Sequence, residues 1–290
     1  MRIALLTENF LPKIDGVTHT LIRMLDHLQA HGHEAMVFGP QGSPRRYGRA
    51  AVIPIPGVRL PMYPELRVLA PWRVPAAKLA AFAPDIIHLC DPMLLGPAGL
   101  YWARRLNVPV VAAYHTNLAQ YMRYFGLGYL EPSVWKYRRY IHNRCALTLC
   151  PSRSTQAALV AQGFCRVRVW PHGVDTALFS PSRRDAERRR QLGADEGTRL
   201  LLYVGRLSHE KNVRLLAEAY RAVARPGARL VVVGDGPARP EFEELVEGLP
   251  ATFTGYLRGE SLAATFASSD LFLFPSTTET FGLVVQEAMA

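Results

Sequence analysis

The sequence predicts an α/β protein with two doubly wound parallel sheets, and three observations support this fold class. Short continuous apolar runs alternate with longer amphipathic stretches, which is typical of parallel strands buried between helices. The series is interrupted once, by the polar and charged stretch Pro171–Gly197, and then starts again. Of the 290 residues, 49% are hydrophobic, which is enough to bury two cores of ordinary size.

In the first half, each short apolar run is interpreted as a strand and each helical repeat as a crossover helix. The expected strands are Ile3–Thr7, Ala35–Phe38, Val52–Ile55, Asp85–Leu89, Val108–Ala113 and Leu147–Cys150. The expected helices are Val17–Ala30, Gly96–Leu106 and Ser133–Cys145.

The second half repeats the pattern with fewer strands. They are expected at Leu200–Val204, Leu230–Val233, Ala251–Thr254 and Leu271–Phe274, with helices between them such as Val213–Val223. This predicts an N-terminal domain over 1–172, a linker with a surface helix over 173–197 and a C-terminal domain over 198–290. Doubly wound domains usually have five or six strands, and the chain ends inside an apparent helix, so the second domain is expected to be incomplete.

Composition limits the classes of partner that the chain is expected to bind and the cellular compartment in which it is expected to lie. The net charge of +10 suits a phosphorylated ligand, an acidic membrane surface or nucleic acid, and it fits a solvated basic surface equally well. Four cysteines without a C-x-x-C pair indicate a reducing compartment. The initial apolar run is too short for a signal peptide, and no stretch is long enough to span a bilayer. A cytoplasmic location is expected.

Two strand-to-helix loops in the second half carry charged side chains. The segment Tyr203–Asn212 (YVGRLSHEKN) holds Arg206 and Lys211. Backbone N–H groups at a helix start, together with Arg and Lys, form a site for a diphosphate. Taken alone, this loop fits a surface turn with two solvated bases equally well.

The second loop, Pro275–Glu287 (PSTTETFGLVVQE), places Glu279 before a helix and Glu287 on it. Carboxylates accept paired hydrogen bonds from neighbouring hydroxyls, so this spacing can hold a sugar and a ribose beside a phosphate. Gly282 allows the backbone to approach a ligand closely. Two exposed glutamates are the alternative, which fits Glu287 poorly because its neighbours are apolar.

Three further segments complete a family resemblance: Pro171–Asp175 (PHGVD), Val233–Pro237 (VGDGP) and Phe253–Leu257 (FTGYL). With the two loops, they resemble the retaining glycosyltransferases of family four over essentially the whole chain. The resemblance implies the GT-B fold, in which two Rossmann-like domains face a cleft. It also implies transfer of a sugar from a UDP- or GDP-sugar, a co-substrate, with no cofactor.

The resemblance assigns roles to the charged residues. Arg206 and Lys211 are expected to hold the donor diphosphate and to stabilise the charge that builds on it. Glu279 is expected to contact the transferred sugar and Glu287 the ribose. Retention through a short-lived ion pair is expected, because no carboxylate is placed as a nucleophile.

Smaller and apolar residues complete the expected donor site. The backbone near Gly282 and Leu283 would touch phosphate or sugar, and Tyr256 and Leu257 would border the base. Gly16 lies in the first strand-to-helix loop, which in the family closes over the donor phosphate. An ordinary turn is the alternative for Gly16.

His115 follows the strand Val108–Ala113 in the sequence YHTN, at the carboxyl end of the sheet that would face the cleft. A single histidine is more often structural than functional. The family-like motif favours a catalytic role, in which His115 orients the sugar or stabilises the cation through its backbone carbonyl.

Within the family, the chain is most similar to lipid-directed members. Asp85–Leu89 (DIIHL), Ser152 after Pro151, and Gly282–Ala288 (GLVVQEA) resemble the sulfoquinovosyl-diacylglycerol synthases, with lipid mannosyl- and glucosyltransferases nearly as close. Diacylglycerol or another lipid is therefore the expected acceptor.

The helix Ser133–Cys145 is the candidate for membrane contact. Its expected inner stripe is Val134, Ile141 and Cys145, and its outer face carries Lys136, Arg139, Tyr140 and Asn143. A basic aromatic helix can lie on the anionic inner face of the cytoplasmic membrane, and a solvated face is equally consistent with it.

Several other classes lack their motifs. Gly234-Asp-Gly236 has no third glycine, so a dinucleotide fingerprint is incomplete. D-x-D and H-E-x-x-H are absent from the sequence, so no metal is expected, and net charge is the one feature that favours nucleic acid. A nucleotide-sugar epimerase of the same fold and an inactive transferase fragment remain as alternatives.

Overall fold

The computed structural model describes residues 1–13, 15–60, 63–124, 126–195 and 197–290, which divide into two compact units. The first unit comprises Met1–Met122 and Leu127–His172, and the second comprises Arg123–Gly126 and Gly173–Ala290. Each contains a parallel sheet with helices packed on it, so the predicted α/β class is confirmed.

The first 172 residues contain ten strands and six α-helices among the described residues. The strands are β1 (Arg2–Thr7), β2 (Glu34–Pro40), β3 (Arg46–Tyr47), β4 (Ala50–Ile55), β5 (Gly57–Leu60), β6 (Tyr63–Leu69), β7 (Ile86–Cys90), β8 (Val110–Ala113), β9 (Leu147–Cys150) and β10 (Val167–Val169). The helices are α1 (Gly16–Ala30), α2 (Ala76–Phe82), α3 (Leu95–Leu106), α4 (Leu118–Tyr124), α5 (Glu131–His142) and α6 (Arg153–Ala161).

The sheet of the first unit reverses its strand order at β1. The order is β10-β9-β8-β7-β1-β2-β4-β3, parallel apart from β3, and β5 and β6 form a separate antiparallel pair. Strand β1 pairs with β2 on one side and with β7 on the other. In open parallel sheets, ligands bind at the carboxyl ends of the strands where the order reverses.

The residues of β1 explain why its sequence is a continuous apolar run. Ile3 and Leu5 belong to a core on the side of α1, whereas Ala4 and Leu6 belong to the core on the opposite side, with α2 and α3. Successive side chains of a strand point to opposite faces, and both faces here are covered. The four positions from Ile3 to Leu6 therefore have to be apolar.

The second unit repeats this plan on a smaller scale. Its elements are α7 (Ala186–Gln191), β11 (Arg199–Val204), α8 (Val213–Val223), β12 (Ala228–Val233), α9 (Arg239–Leu245), β13 (Ala251–Gly255), α10 (Gly259–Ser268), β14 (Leu271–Phe272) and α11 (Leu283–Met289). The sheet has the order β13-β12-β11-β14, with all neighbours parallel. The order reverses at β11, so the loops after β11 and β14 lie at the reversal point.

The stretch predicted as a linker, 173–197, belongs by its contacts to the second unit. The Asp270 carboxylate accepts hydrogen bonds from Arg184 Nη2 (2.9 Å) and Arg189 Nη1 (3.1 Å). Arg188 Nη2 donates to the hydroxyl of Thr265 at 2.9 Å, and Thr265 is fully buried. Arginines of the charged run therefore bind acceptors of the second unit, while Glu187 and Arg190 of helix α7 are exposed.

Candidate active site

The candidate donor site is formed by the two loops at the reversal point of the second sheet. The first loop connects β11 to α8 and contains Arg206 and Lys211, and the second connects β14 to α11 and contains Glu279. The two strands are adjacent and parallel, with Leu201 opposite Leu271 and Leu202 opposite Phe272. Both loops therefore leave the same edge of the sheet side by side.

Arg206 is held by a buried carboxylate of its own loop. Arg206 Nη2 donates to Glu210 Oε1 at 2.8 Å, and Ser208 Oγ donates to the same oxygen at 2.7 Å. Burial acts to raise the pKa of Glu210, but the hydrogen bonds from Ser208 and the backbone and the charge of Arg206 outweigh it, so the pKa is lowered. Glu210 is thus a carboxylate that aligns Arg206, whose side chain remains partly exposed.

Three contacts join the first loop to the second. Lys211 Nζ forms an ion pair with Glu279 Oε1. The hydroxyl of the buried Thr278 donates to the backbone oxygen of Glu210 at 3.1 Å, and Asn212 Nδ2 donates to the backbone oxygen of Pro275 at 3.5 Å. The predicted cations and the predicted loop carboxylate are therefore brought together.

Three further predicted site residues, Gly282, Leu283 and Glu287, lie at the start of α11 or on it. Gly282 has a φ of 75°, in the left-handed region that favours glycine, and it precedes the helix directly. Leu283 is the first residue of the helix, and Glu287 lies one turn further on, partly buried. Glu287 is linked to the Glu279 loop through this helix.

Tyr256 and Leu257 follow β13, at the same edge of the sheet but two strands away from β11. The Tyr256 side chain is exposed, and its hydroxyl donates to the backbone oxygen of Asp235 at 3.0 Å. Leu257 packs partly buried against the core cluster that contains Leu200 and Leu202. Tyr256 thus presents a ring to solvent, whereas Leu257 has a packing role as well.

In the first unit, Gly16 is the first residue of α1, directly after the N-cap Asp15. The Asp15 carboxylate accepts a hydrogen bond from Thr18 N at 2.8 Å and pairs with Lys13 at 2.7 Å. A Cβ built on Gly16 meets no heavy atom within 4 Å among the described residues. The backbone at this helix start is therefore open to a ligand.

His115 lies two residues after β8 and is buried. Its ring stacks on His172 at 5.3 Å between centroids and meets Trp170 edge-on at 6.2 Å. Burial lowers the pKa of His115, and Asp91 and Asp15 oppose this effect through their charges. His115 is therefore neutral at pH 7, and the Asp15 charge acts on it from the start of α1.

Two models of glycosyltransferase families match this chain, one in each half. Residues 14–178 match the model described as Glycosyltransferase Family 4, and residues 184–290 match that of Glycosyl transferases group 1. The chain belongs to glycosyltransferase family 4. This confirms the resemblance drawn from the loop motifs.

Curated relatives of this family 4 enzyme align with all of its 290 residues. They include a GDP-mannose-dependent alpha-mannosyltransferase of Mycolicibacterium smegmatis, 40% identical, of which the chain covers 77%. Sulfoquinovosyl transferase SQD2 of Arabidopsis thaliana is 34% identical and covered over 58% of its length. Alpha-monoglucosyldiacylglycerol synthase of Streptococcus pneumoniae is 31% identical and covered over 69%.

Solved structures identify the fold of the family 4 chain. Sucrose-phosphate synthase from Thermosynechococcus elongatus superposes with a TM-score of 0.79 at 21% identity, over 99% of this chain and 78% of that one. The fold is GT-B, as predicted. The roles of individual residues stay predictions.

Three charged residues that hold loops of the glycosyltransferase were not predicted from the sequence: Glu210, Asp91 and Arg138. Glu210 lies between Arg206 and Lys211, and its burial has no sequence signature. Asp91 and Arg138 form a buried ion pair of 2.6 Å in the first unit. The burial of Arg138 was indicated only by its position in the sequence, because it falls four residues after Val134 on the apolar stripe of α5.

The described part of the chain contains no group of three or more His, Cys, Asp and Glu side chains that could hold a metal ion. Within the same residues, every helix is too short or too polar to cross a bilayer.

Proposed function

We propose that the chain transfers a mannosyl or related hexosyl residue from a GDP- or UDP-sugar to a glycolipid acceptor, with retention of the anomeric configuration. The observation that carries this proposal is the pair of joined loops at the reversal point of the second sheet. They place two cations and a carboxylate together, which are the groups that a diphosphate and a sugar require. GDP-mannose is the first donor to test, because the name of the 40% identical relative specifies it.

The ion pair between Lys211 and Glu279 supports these roles. Each side chain satisfies the charge of the other. A sugar nucleotide offers both groups the same kind of partner, since phosphate oxygens accept from Lys211 and sugar hydroxyls donate to Glu279. Arg206 and Lys211 then stabilise the negative charge on the departing diphosphate, whose oxygen takes the proton of the acceptor hydroxyl. Glu287 binds the ribose, and Tyr256 borders the base.

In the first unit, His115 and Gly16 complete the proposed machinery. A neutral His115 does not add charge beside the cationic sugar, and its backbone carbonyl is proposed to stabilise that cation. The open backbone at Gly16 accommodates phosphate oxygens at the N-terminus of α1, a 15-residue helix.

The test is product analysis with purified full chain. GDP-mannose and UDP-glucose are each incubated with diacylglycerol and with phosphatidylinositol in mixed micelles, and products are identified by mass spectrometry and NMR. We expect an α-linked glycolipid from one donor. Donor conversion that needs no acceptor would instead identify an epimerase and overturn the proposal.

Lys211→Ala tests the phosphate role directly. We expect kcat/KM to fall about 100-fold, the usual effect of removing one group that stabilises charge in the transition state. Lys78→Ala is the matched control, because Lys78 is an exposed lysine on α2 of the first unit. Wild-type turnover in Lys211→Ala would reject the assignment.

A peripheral membrane contact is also proposed, through the outward face of α5. Lys136 and Tyr140 are exposed, and the Arg144 guanidinium lies 3.5 Å from the centroid of the Tyr140 ring. Aromatic and basic side chains together suit an anionic lipid surface. Arg139 and Asn143, predicted on the same face, instead donate to the backbone oxygens of Gln162 and Gly163.

Sedimentation with lipid vesicles tests this contact. Binding to vesicles that contain phosphatidylserine should exceed binding to pure phosphatidylcholine vesicles. The double variant Lys136→Ala/Arg144→Ala should bind about 20- to 30-fold more weakly, since each basic residue near the surface contributes about 1 kcal/mol. Equal binding of the wild type to both vesicle types would exclude this electrostatic contact.

A further inference from the structure

We propose that Arg138 is a positioning residue for the proposed reaction, because it fixes the backbone of the loop that carries His115. The inference rests on the role proposed above for His115. Arg138 lies on the inner face of α5 and is 1% exposed, so it touches neither solvent nor substrate. Any effect it has on the reaction has to act through its neighbours.

The contacts of Arg138 converge on one short loop. Its Nη1 donates to the backbone oxygen of Thr116 at 2.9 Å, and its guanidinium carbon lies 4.2 Å from the centroid of the Tyr114 ring. Its Nη2 donates to Asp91 Oδ1 at 2.6 Å, and the same oxygen accepts from His115 N at 3.4 Å. Arg138 and Asp91 therefore bind three consecutive residues after β8.

Asp91 is itself placed to transmit this restraint. It follows β7 directly, and β7 pairs with β8 in a register that sets Cys90 opposite Ala113. Its φ of 53° is uncommon for a residue other than glycine, and its backbone N–H donates to Ala113 O at 2.9 Å. The ends of the two strands and the loop after β8 are thus joined at one carboxylate.

A buried ion pair is a poor way to stabilise a core. Removing two charges from water offsets most of their mutual attraction, and an apolar pair of similar volume stabilises a fold as well or better. The directional contacts of the guanidinium provide what an apolar side chain lacks, which is a defined position for the backbone of His115 and Thr116. We therefore assign the pair to positioning.

Arg138→Lys is the decisive variant. It keeps the charge, but a single ammonium group cannot reach Asp91 and Thr116 in the fork geometry of arginine. Arg189→Lys is the matched control in the second unit. Arg189 is 13% exposed and binds a carboxylate, Asp270, and two backbone oxygens, Ser268 O and Thr198 O, both at 2.6 Å.

Two measurements on the full chain test the inference. The first is amide hydrogen exchange over residues 114–117, which does not require turnover. The second is steady-state kinetics, with a saturating donor concentration for kcat and limiting donor concentrations for the donor KM. For Arg138→Lys we expect exchange in this segment to rise at least about tenfold, and kcat to fall about 10- to 100-fold, as for a displaced catalytic group. The donor KM should stay within about twofold of the wild type.

The outcomes separate the two proposals. Arg189→Lys should lower the melting temperature about as much as Arg138→Lys and leave kcat unchanged. The inference is overturned if exchange over 114–117 stays at the wild-type level, or if kcat of Arg138→Lys stays within twofold. If the wild type transfers no sugar, the proposed function fails, while the exchange experiment still decides whether Arg138 holds the loop.

Discussion

Two glutamate–arginine pairs of the second unit allow a controlled test of how burial affects the stability that a glutamate such as Glu210 contributes. Arg206–Glu210 and Arg239–Glu243 both have the i,i+4 spacing, both have an N–O distance of 2.8 Å, and their arginines are 30% and 31% exposed. The carboxylates differ, because Glu210 is 2% exposed and Glu243 is 45% exposed. Replacing each glutamate with glutamine removes the charge and keeps the shape.

The expected costs follow from this difference. In Glu210→Gln, the buried acceptor loses its charge, so the hydrogen bond from Arg206 is weakened and that from Ser208 becomes neutral, at a cost of about 1–2 kcal/mol. In Glu243→Gln the exposed pair is screened, and the cost should be below about 0.5 kcal/mol. Urea unfolding at 25 °C measures both values. The donor KM should rise about tenfold in Glu210→Gln alone, because Arg206 loses its alignment.

The pH dependence gives an independent check. The pKa of Glu210 is lower in the folded chain than in the unfolded chain, where a glutamate has a pKa of about 4.3. Its contribution is therefore present above about pH 4.3 and is lost as the pH falls through the folded-state pKa. The difference between wild type and Glu210→Gln should shrink toward pH 3. Equal costs for the two glutamine variants at pH 7 would refute the reasoning.

Two further predictions concern the first unit. Leu89→Ala should destabilise the unit by about 2–5 kcal/mol, because Leu89 is fully buried between two layers, whereas Val160→Ala on the exposed side of α6 should cost below about 0.5 kcal/mol. Burial lowers the pKa of both His88 and His142 to about 3, so their NMR signals should not titrate between pH 8 and 5, and titration of either in that range would contradict it. The unfolded chain binds these protons below about pH 6.5, so stability should fall as the pH drops.

The strands were predictable because the apolar composition of each segment indicates its burial. A strand covered on both faces must be apolar at every position, and Leu200–Val204 lies within the observed β11 (Arg199–Val204). Strand β10 (Val167–Val169) escaped prediction, since a three-residue edge strand with a central arginine has no such run. The contact of Arg188 with the buried Thr265 was not predictable, because a charged run gives no indication of which acceptors its guanidinium groups bind.

The sequence indicated that the cations and the acid of the candidate donor site belong together, because their loop motifs are specific in combination, and the structure pairs Lys211 with Glu279. Arg206, Lys211 and Glu279 stand in strand-to-helix loops, where charged side chains precede a helix. Glu210 and Arg138 were not predictable as buried charges, because a lone Glu or Arg in sequence favours the surface. The partners of Glu210 are local, but its burial depends on the packing of the whole unit; the partner of Arg138 is distant in sequence, and the fold alone brings Asp91 to within 2.6 Å of it.

Both units use the same pair of groups beside the reversal point of a sheet, and exposure separates their roles. In the second unit, Glu210 holds Arg206 at 30% exposure, which leaves the guanidinium partly accessible to the phosphate that we propose it binds. In the first unit, Asp91 holds Arg138 at 1% exposure, and Nη1 of that guanidinium binds the backbone oxygen of Thr116. A buried carboxylate can therefore orient an arginine toward a ligand or toward a loop. Mutation of Arg206 should then raise the donor KM, whereas mutation of Arg138 should lower kcat.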